Sequence, residues 1–213
     1  MDATELLDLF RTEMRDSSMP YLFSDETIYS YIDTAQVEFC RRTEGIEDAR
    51  TFAVSVTAGI EWYDADPRIL KLRRAYDKST GRPVDVVNLE RVEQRGIRFD
   101  GKTGPLRALI TGAEKNALRA WPVPSEAVEI QLEVFRLPSP VAENATGFEV
   151  DRQHHVYLLD WVKHLAFGTQ DSDIFDRRAA EECGTRFAAY CARSKVEQGR
   201  ARHQVGAVQY GGY

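Results

Sequence analysis

The sequence predicts an α+β chain: a four-helix bundle of two N-terminal and two C-terminal helices, with an inserted antiparallel β domain and an extended C-terminal tail. Three observations predict it. Apolar residues recur at three- and four-residue steps up to Glu44, and again from Val156 to Val196, which is helical period. Between residues 51 and 137 the period falls to two, with turn residues at the spacing of a sandwich or barrel. Neither helix pair has enough apolar surface to fold by itself, so the pairs are expected to share one core. The expected boundaries are 1–50 and 148–203 for the bundle, 51–137 for the β domain, 138–147 for a linker and 204–213 for the tail.

The elements follow in order. Asp2 to Met14 reads as a first helix with Leu6, Leu7, Phe10 and Met14 on one face, broken by Asp16-Ser17-Ser18-Met19-Pro20. Tyr21, Leu22 and Phe23 form an apolar cluster, and Phe23 holds the position of a hydrophobic staple. Ser24 is a natural N-cap, Asp25 and Glu26 favour the positive end of the helix dipole, and Ile28, Tyr31, Ile32, Ala35, Phe39 and Cys40 make one stripe. Arg41, Arg42 and Gly45 mark its end. Phe52, Val54 and Val56 then open the alternating region. Asn88 is expected to cap a short helix through Val92, ended by Gly96. Leu106–Thr111 and Ala117–Trp121 read as a hairpin, and Val128, Ile130, Leu132 and Val134 alternate in a last strand. Val156, Leu159, Val162, Leu165 and Ala166 form the stripe of a third helix, with Tyr157 and Trp161 beside it. Asp171 or Asp173 caps a last long helix carrying Phe175, Ala179, Cys183, Phe187, Tyr190, Cys191 and Val196. Gly184 weakens that helix by roughly 1 kcal/mol unless something packs against it.

Composition narrows the function classes. With 43% hydrophobic and 29% charged residues in 213, the chain reads as globular, and its net charge of −6 gives no global case for nucleic-acid or bilayer binding. No apolar run approaches the roughly 20 residues of a membrane span, and no signal peptide is expected at the N-terminus. Cys40, Cys183 and Cys191 are an odd number within helical patterns, which favours reduced thiols in a cytoplasm. Asn144-Ala145-Thr146 fits a glycosylation sequon and is read as loop sequence.

Charge is unevenly spread. Residues 1–50 hold 12 acidic and 5 basic residues, a net of −7, whereas residues 186–213 hold five basic residues against Glu197, a net of +4. The two ends could attract each other within a chain or between neighbours, or be separately solvated faces.

A search for chemistry returns little. No Gly-rich phosphate loop, nucleophile elbow or His-Glu-x-x-His is present. Asp160 and His164 lie one turn apart beside His154 and His155, but this spacing is more often a surface hydrogen bond or ion pair than a metal site. Cys183 and Cys191 lie two turns apart on one stripe, which reads as core. The expectation is no catalytic residue, no metal and no cofactor.

Two groups of motifs carry a resemblance. Leu6-Leu7-Asp8-Leu9-Phe10-Arg11, Pro20-Tyr21-Leu22, Ser24-Asp25 and Tyr31-Ile32-Asp33-Thr34-Ala35-Gln36 belong to the N-terminal half. In the C-terminal half stand Gln153-His154-His155, Leu158 to His164, Ala189-Tyr190-Cys191-Ala192, Lys195-Val196-Glu197-Gln198 and a terminal Tyr-Gly-Gly. Trp121-Pro122-Val123-Pro124 and Val134 to Pro138 add weaker likeness. Together they resemble the head-to-tail adaptor (connector) proteins of tailed bacteriophages, podophage-like. The resemblance implies a structural virion protein, not an enzyme, forming a dodecameric ring beneath the portal. It implies as partners the portal, a downstream nozzle or tail-tube protein, neighbouring copies, and genome DNA passing through without sequence-specific binding. No membrane is involved. The place implied is the virion neck, after assembly in the host cytoplasm. The rival class is a virion-associated peptidoglycan hydrolase, for which no site stands out.

Within that resemblance the tail is the expected portal-binding element. Val205, Val208, Tyr210 and Tyr213 are apolar or aromatic on a segment without helical period, and Gly206, Gly211 and Gly212 let its backbone approach a surface closely. Tyr buries area at little rotamer cost, which suits an anchor. Arg200 and Arg202 are expected to orient the tail, and the expected portal-binding set is Arg200, Arg202, Val205, Val208, Gln209, Tyr210, Gly211, Gly212 and Tyr213.

Overall fold

A computed structural model describes residues 2–94, 101–141, 148–170 and 174–202, and the backbone alone at Arg202. By its contacts the chain divides into two compact units, Met1–Glu44 with Pro138–Tyr213, and Gly45–Leu137.

The first unit is helical. Helix α1 (Ala3–Met14) opens with a capping box, in which the Asp2 side chain accepts from the Glu5 N–H and the Glu5 carboxylate accepts from the Asp2 N–H. Helix α2 (Asp25–Thr43) is capped by Ser24, whose hydroxyl accepts from the Thr27 N–H at 3.2 Å. It ends with Glu44 and Gly45 both in the left-handed region. Gly45 is required there, since a Cβ would stand 2.6 Å from the Arg136 carbonyl oxygen.

The second unit is a sheet. Its strands are β1 (Ile46–Val56), β2 (Trp62–Asp64), β3 (Ile69–Asp77), β4 (Pro83–Asn88), β6 (Ala108–Thr111), β7 (Ala117–Trp121) and β9 (Val128–Arg136), in the order β1-β9-β3-β4-β6-β7-β2. Helix α3 (Leu89–Gln94) follows β4, and β5 (Thr103–Gly104) pairs with β8 (Val123–Pro124) as a separate two-stranded piece. Strand β9 is central. It sets Ile130 opposite Val54, and Leu132 opposite Phe52 on one side and Ala75 on the other. These residues, with Val134, Leu109 and Leu118, make the core of the unit.

The chain then returns to helix. A 3₁₀ turn at Arg152–His154 leads into α4 (His155–Gly168), and α5 (Arg177–Arg202) follows. Helix α4 packs on α1, α2 and α5, and α2 also meets α1 and α5.

This architecture corrects the expected fold class. The chain is not a four-helix bundle carrying a small antiparallel insertion, but five α-helices and a large curled sheet of seven strands, mixed in direction. The departure from antiparallel order lies between β4 and β6, which run parallel with Val86 opposite Leu109. Parallel neighbours need a crossover rather than a tight turn, and the segment from α3 to Arg107 supplies it. Asn88 does cap α3, its Oδ1 accepting from the Glu90 N–H at 2.9 Å, whereas Gly96 lies outside the described residues. Strand β1 also starts at Ile46, earlier than the apolar alternation, because Asp48 holds an irregular, polar stretch. Its carboxylate accepts from the Arg50 and Thr51 N–H groups at 3.0 and 2.9 Å and from Arg136 at 2.8 Å. Burial alone would raise the Asp48 pKa; these donors hold it well below the usual carboxylate range.

Candidate assembly surfaces

The residues with ligand-like chemistry serve the packing of the helical unit. Asp160 accepts from Arg186 Nη2 at 2.8 Å, whereas His164 Nδ1 donates to the Ala180 carbonyl at 2.8 Å. The two side chains therefore turn to different partners. The His164 ring also lies against Gly184, where an added Cβ would come within 3.0 Å of Nδ1, so this ring is what packs on the glycine inside α5. Among the described residues no group of three or more His, Cys, Asp or Glu is placed to hold a metal ion. His155 Nε2 donates to the Val150 carbonyl at 2.7 Å. His154 shares a 2.8 Å hydrogen bond between Nδ1 and the Tyr190 hydroxyl, beside the Phe39 ring at 4.7 Å. Burial lowers the His154 pKa and pushes Tyr190 up to about 12, which keeps both neutral. Burial also raises the thiols of Cys183 and Cys191, the latter to about 11, so they behave as small core residues.

Asp176 caps helix α5, its carboxylate accepting from the Ala179 N–H at 3.0 Å; Asp171 and Asp173 lie outside the described residues. Its buried stripe runs Ala180, Cys183, Phe187, Cys191 and Ser194. Phe175 and Val196, expected on that stripe, are exposed, and so is Val156 of α4, where Leu158 is buried instead. The C-terminal half of α5 turns Ala189, Ala192 and Val196 outward, with exposed Arg193, Lys195 and Arg200 around them. Arg200 stands near the end of the helix, as the sequence places it, and Arg202 is its last residue. Val205, Val208, Gln209, Tyr210, Gly211, Gly212 and Tyr213 lie outside the described residues.

One constellation was not foreseen from sequence. Arg11 sits on the inner face of α1, buried, and donates to Asp16 Oδ2 at 2.8 Å, to the Phe23 carbonyl at 3.1 Å and to the Asp25 carboxylate. Asp16 is buried too, and its other oxygen accepts from the Leu22 N–H at 2.9 Å. The Arg11 guanidinium lies 3.6 Å from the centroid of the Tyr21 ring. This network ties down the whole α1–α2 loop. The available signal was a charged residue one turn after Leu7 on an apolar face, which demands a partner.

Sequence comparison then decides the class. The family model described as SU10 adaptor protein matches residues 1–209. The chain belongs to the SU10 adaptor protein family. It is a structural protein of the phage virion, a head-to-tail adaptor. No curated protein matches the chain. For such an adaptor the surfaces matter more than any cleft, and the helical unit offers two: the tethered α1–α2 loop and the basic outer face of α5. No helix among the described residues is long and apolar enough to cross a membrane.

Proposed function

We propose that the adaptor forms a ring beneath the portal, joins it to the next tail protein, a nozzle or tail tube, and extends the channel through which the genome passes. The ring is dodecameric and is assembled on the portal in the host cytoplasm. Arg200, Arg202 and the segment Val205, Val208, Gln209, Tyr210, Gly211, Gly212 and Tyr213 anchor it in a groove between portal subunits. The observation that carries this reading is the family match over residues 1–209, nearly the whole chain. The basic, outward end of α5 immediately before the tail supports the anchor, because cations there can orient an apolar segment before its aromatic groups bury.

The test is a truncation. Deleting Val205–Tyr213 leaves the melting temperature nearly unchanged and abolishes co-sedimentation with purified portal. Full occupancy of portal by the truncated protein would move the interface to the helical unit and end the anchor proposal.

A further inference from the structure

The α1–α2 loop is unusual in what it exposes. Met19, Tyr21 and Leu22 are 80%, 38% and 43% exposed, so three large apolar groups within four residues reach solvent, Tyr21 with one ring face on Arg11. A loop free to adjust would fold them away. Here Asp16, Arg11 and Asp25 hold the backbone, and two of those charges are buried to do so. Burying an ion pair is weakly stabilising at best against an apolar alternative. What it supplies is one fixed loop shape, which removes the ordering cost a binding loop otherwise pays.

The same helical unit carries a surface of matching chemistry. Ala189, Ala192, Val196 and Gly199 recur at three- and four-residue steps on the outward side of α5, with Val196 53% exposed. These small side chains make a low trough on the helix surface, flanked by exposed Arg193, Lys195 and Arg200, with Glu197 the one exposed carboxylate beside them. None of these three cations forms an ion pair among the described residues. The loop side is acidic: residues 1–26 hold seven carboxylates against Arg11 and Arg15, and Arg11 already serves Asp16 and Asp25. Exposed Glu26 stands at the loop's edge.

We infer that the Met19–Leu22 loop of one copy seats on the Ala189–Gly199 trough of a second copy. The occupant is argued from complementarity in two independent respects, apolar tip to apolar trough and acidic edge to basic flanks. In one copy α1 and α5 both pack on α4, where Lys163 reaches Glu13 of α1 and Asp160 reaches Arg186 of α5. Among the described residues, each copy leaves one such loop and one such helix face exposed. Such a heterologous contact repeats from copy to copy and can close into a ring. This inference rests on the ring proposed above and assigns its subunit contact.

The test places thiols at both ends of the contact. Cys40, Cys183 and Cys191 are buried, so a short bismaleimide reads introduced cysteines. In adaptor–portal assemblies, Leu22→Cys/Val196→Cys gives a ladder of covalent multimers. Either single variant alone gives monomer, and a mixture of the two singles gives covalent dimer and nothing larger. Without cross-linker, Val196→Glu lowers the number of adaptor copies on portal at least tenfold with an unchanged melting curve. Micrographs of the same specimens separate the two claims. Rings without cross-links overturn the contact and leave the ring standing, as does cross-linking by Leu22→Cys alone, which would mean like faces meeting. Absence of any ring on portal removes the ring and the contact together.

Discussion

The two units of this adaptor handle polar groups in opposite ways. The described part of the sheet unit buries one uncharged polar side chain, Gln131, and satisfies it: its Nε2 donates to the Phe52 carbonyl at 2.8 Å. The described part of the helical unit buries Arg11, Asp16, Gln36, Thr43, His154, His155 and Ser194. It also contains all the buried side-chain atoms left without a partner among the described residues, on Gln36, His155, Trp161, Ser194 and Gln198. A sheet with an apolar core is a rigid support. A helical unit that spends charge and leaves polar atoms unpaired has been shaped by something besides its own stability, and assembly on other chains is the natural demand.

The largest effect expected from this contrast is at Arg11. Arg11→Ala strands Asp16, a buried carboxylate, and an uncompensated buried charge costs about 3–5 kcal/mol. In urea, the far-ultraviolet helical signal should unfold at a much lower midpoint while the sheet signal keeps its own. A common shift of both signals would break the comparison, because it would make the units one cooperative block.

Next is the core of the sheet. Leu132, 1% exposed, touches the cores of both flanking strands, and Leu132→Ala should cost about 3 kcal/mol through lost burial and cavity. This loss belongs to the sheet transition alone. Among the polar groups of the sheet unit only the nearly buried Asp48–Arg136 pair should approach it, whereas the half-exposed Lys78–Glu129 pair is worth under about 1 kcal/mol.

The two units should also differ in acid. His154 has its pKa lowered by burial, so the unfolded chain takes up the proton first. Stability from keeping it neutral is fully present above about pH 6.5 and is lost as pH falls from there toward the folded value. In the sheet unit the displaced groups are carboxylates. Arg68 lowers Asp66, and the hydroxyls and N–H groups of Thr80 and Ser79 lower Asp77 to about 2. Their contribution is present above about pH 4 and is lost below it. A pH series of the two urea transitions should therefore show the helical one weakening as pH falls below about 6.5, while the sheet one holds until the carboxylate range is reached. His154→Gln should flatten the first slope; an unchanged slope would assign it to another group.

What was legible in the sequence follows the same division between local and distant chemistry. The Ser24 cap, the β6–β7 hairpin and the alternation of Ile130, Leu132 and Val134 depend on residues close in the chain, and each stands where the pattern places it. The parallel pairing of β4 with β6 did not show, because a short helix between two strands fixes a crossover only once the sheet exists. The Arg11 network escaped for a related reason: its partners lie 5 and 14 residues away, beyond any helical period. On α5 the stripe passes from Cys191 to Ser194, so the more apolar Val196 falls about 200° round the helix and faces out. Hydrophobicity misled there, since geometry chose the smaller polar residue for the core. The portal-binding segment rests on composition alone.

The smallest effect expected is also the one that sharpens the comparison most. Ser194 is 2% exposed, and its hydroxyl has no partner among the described residues. In the isolated adaptor, Ser194→Ala removes an oxygen that has lost water and gained nothing, in a helix where alanine is the better former. The change should be neutral or stabilising, by no more than about 1 kcal/mol. The same substitution in the sheet unit's satisfied Gln131 would go the other way, because the Phe52 carbonyl would lose its donor. A stabilised Ser194→Ala protein that also occupies portal fully would mean the hydroxyl serves neither folding nor assembly. Stabilisation accompanied by poorer portal occupancy would show a polar atom kept unsatisfied in the free protein for use in the assembled one. A loss of more than about 1 kcal/mol in the isolated adaptor would instead mean that Ser194 is satisfied there, and that the helical unit resembles the sheet more closely than its buried polar atoms suggest.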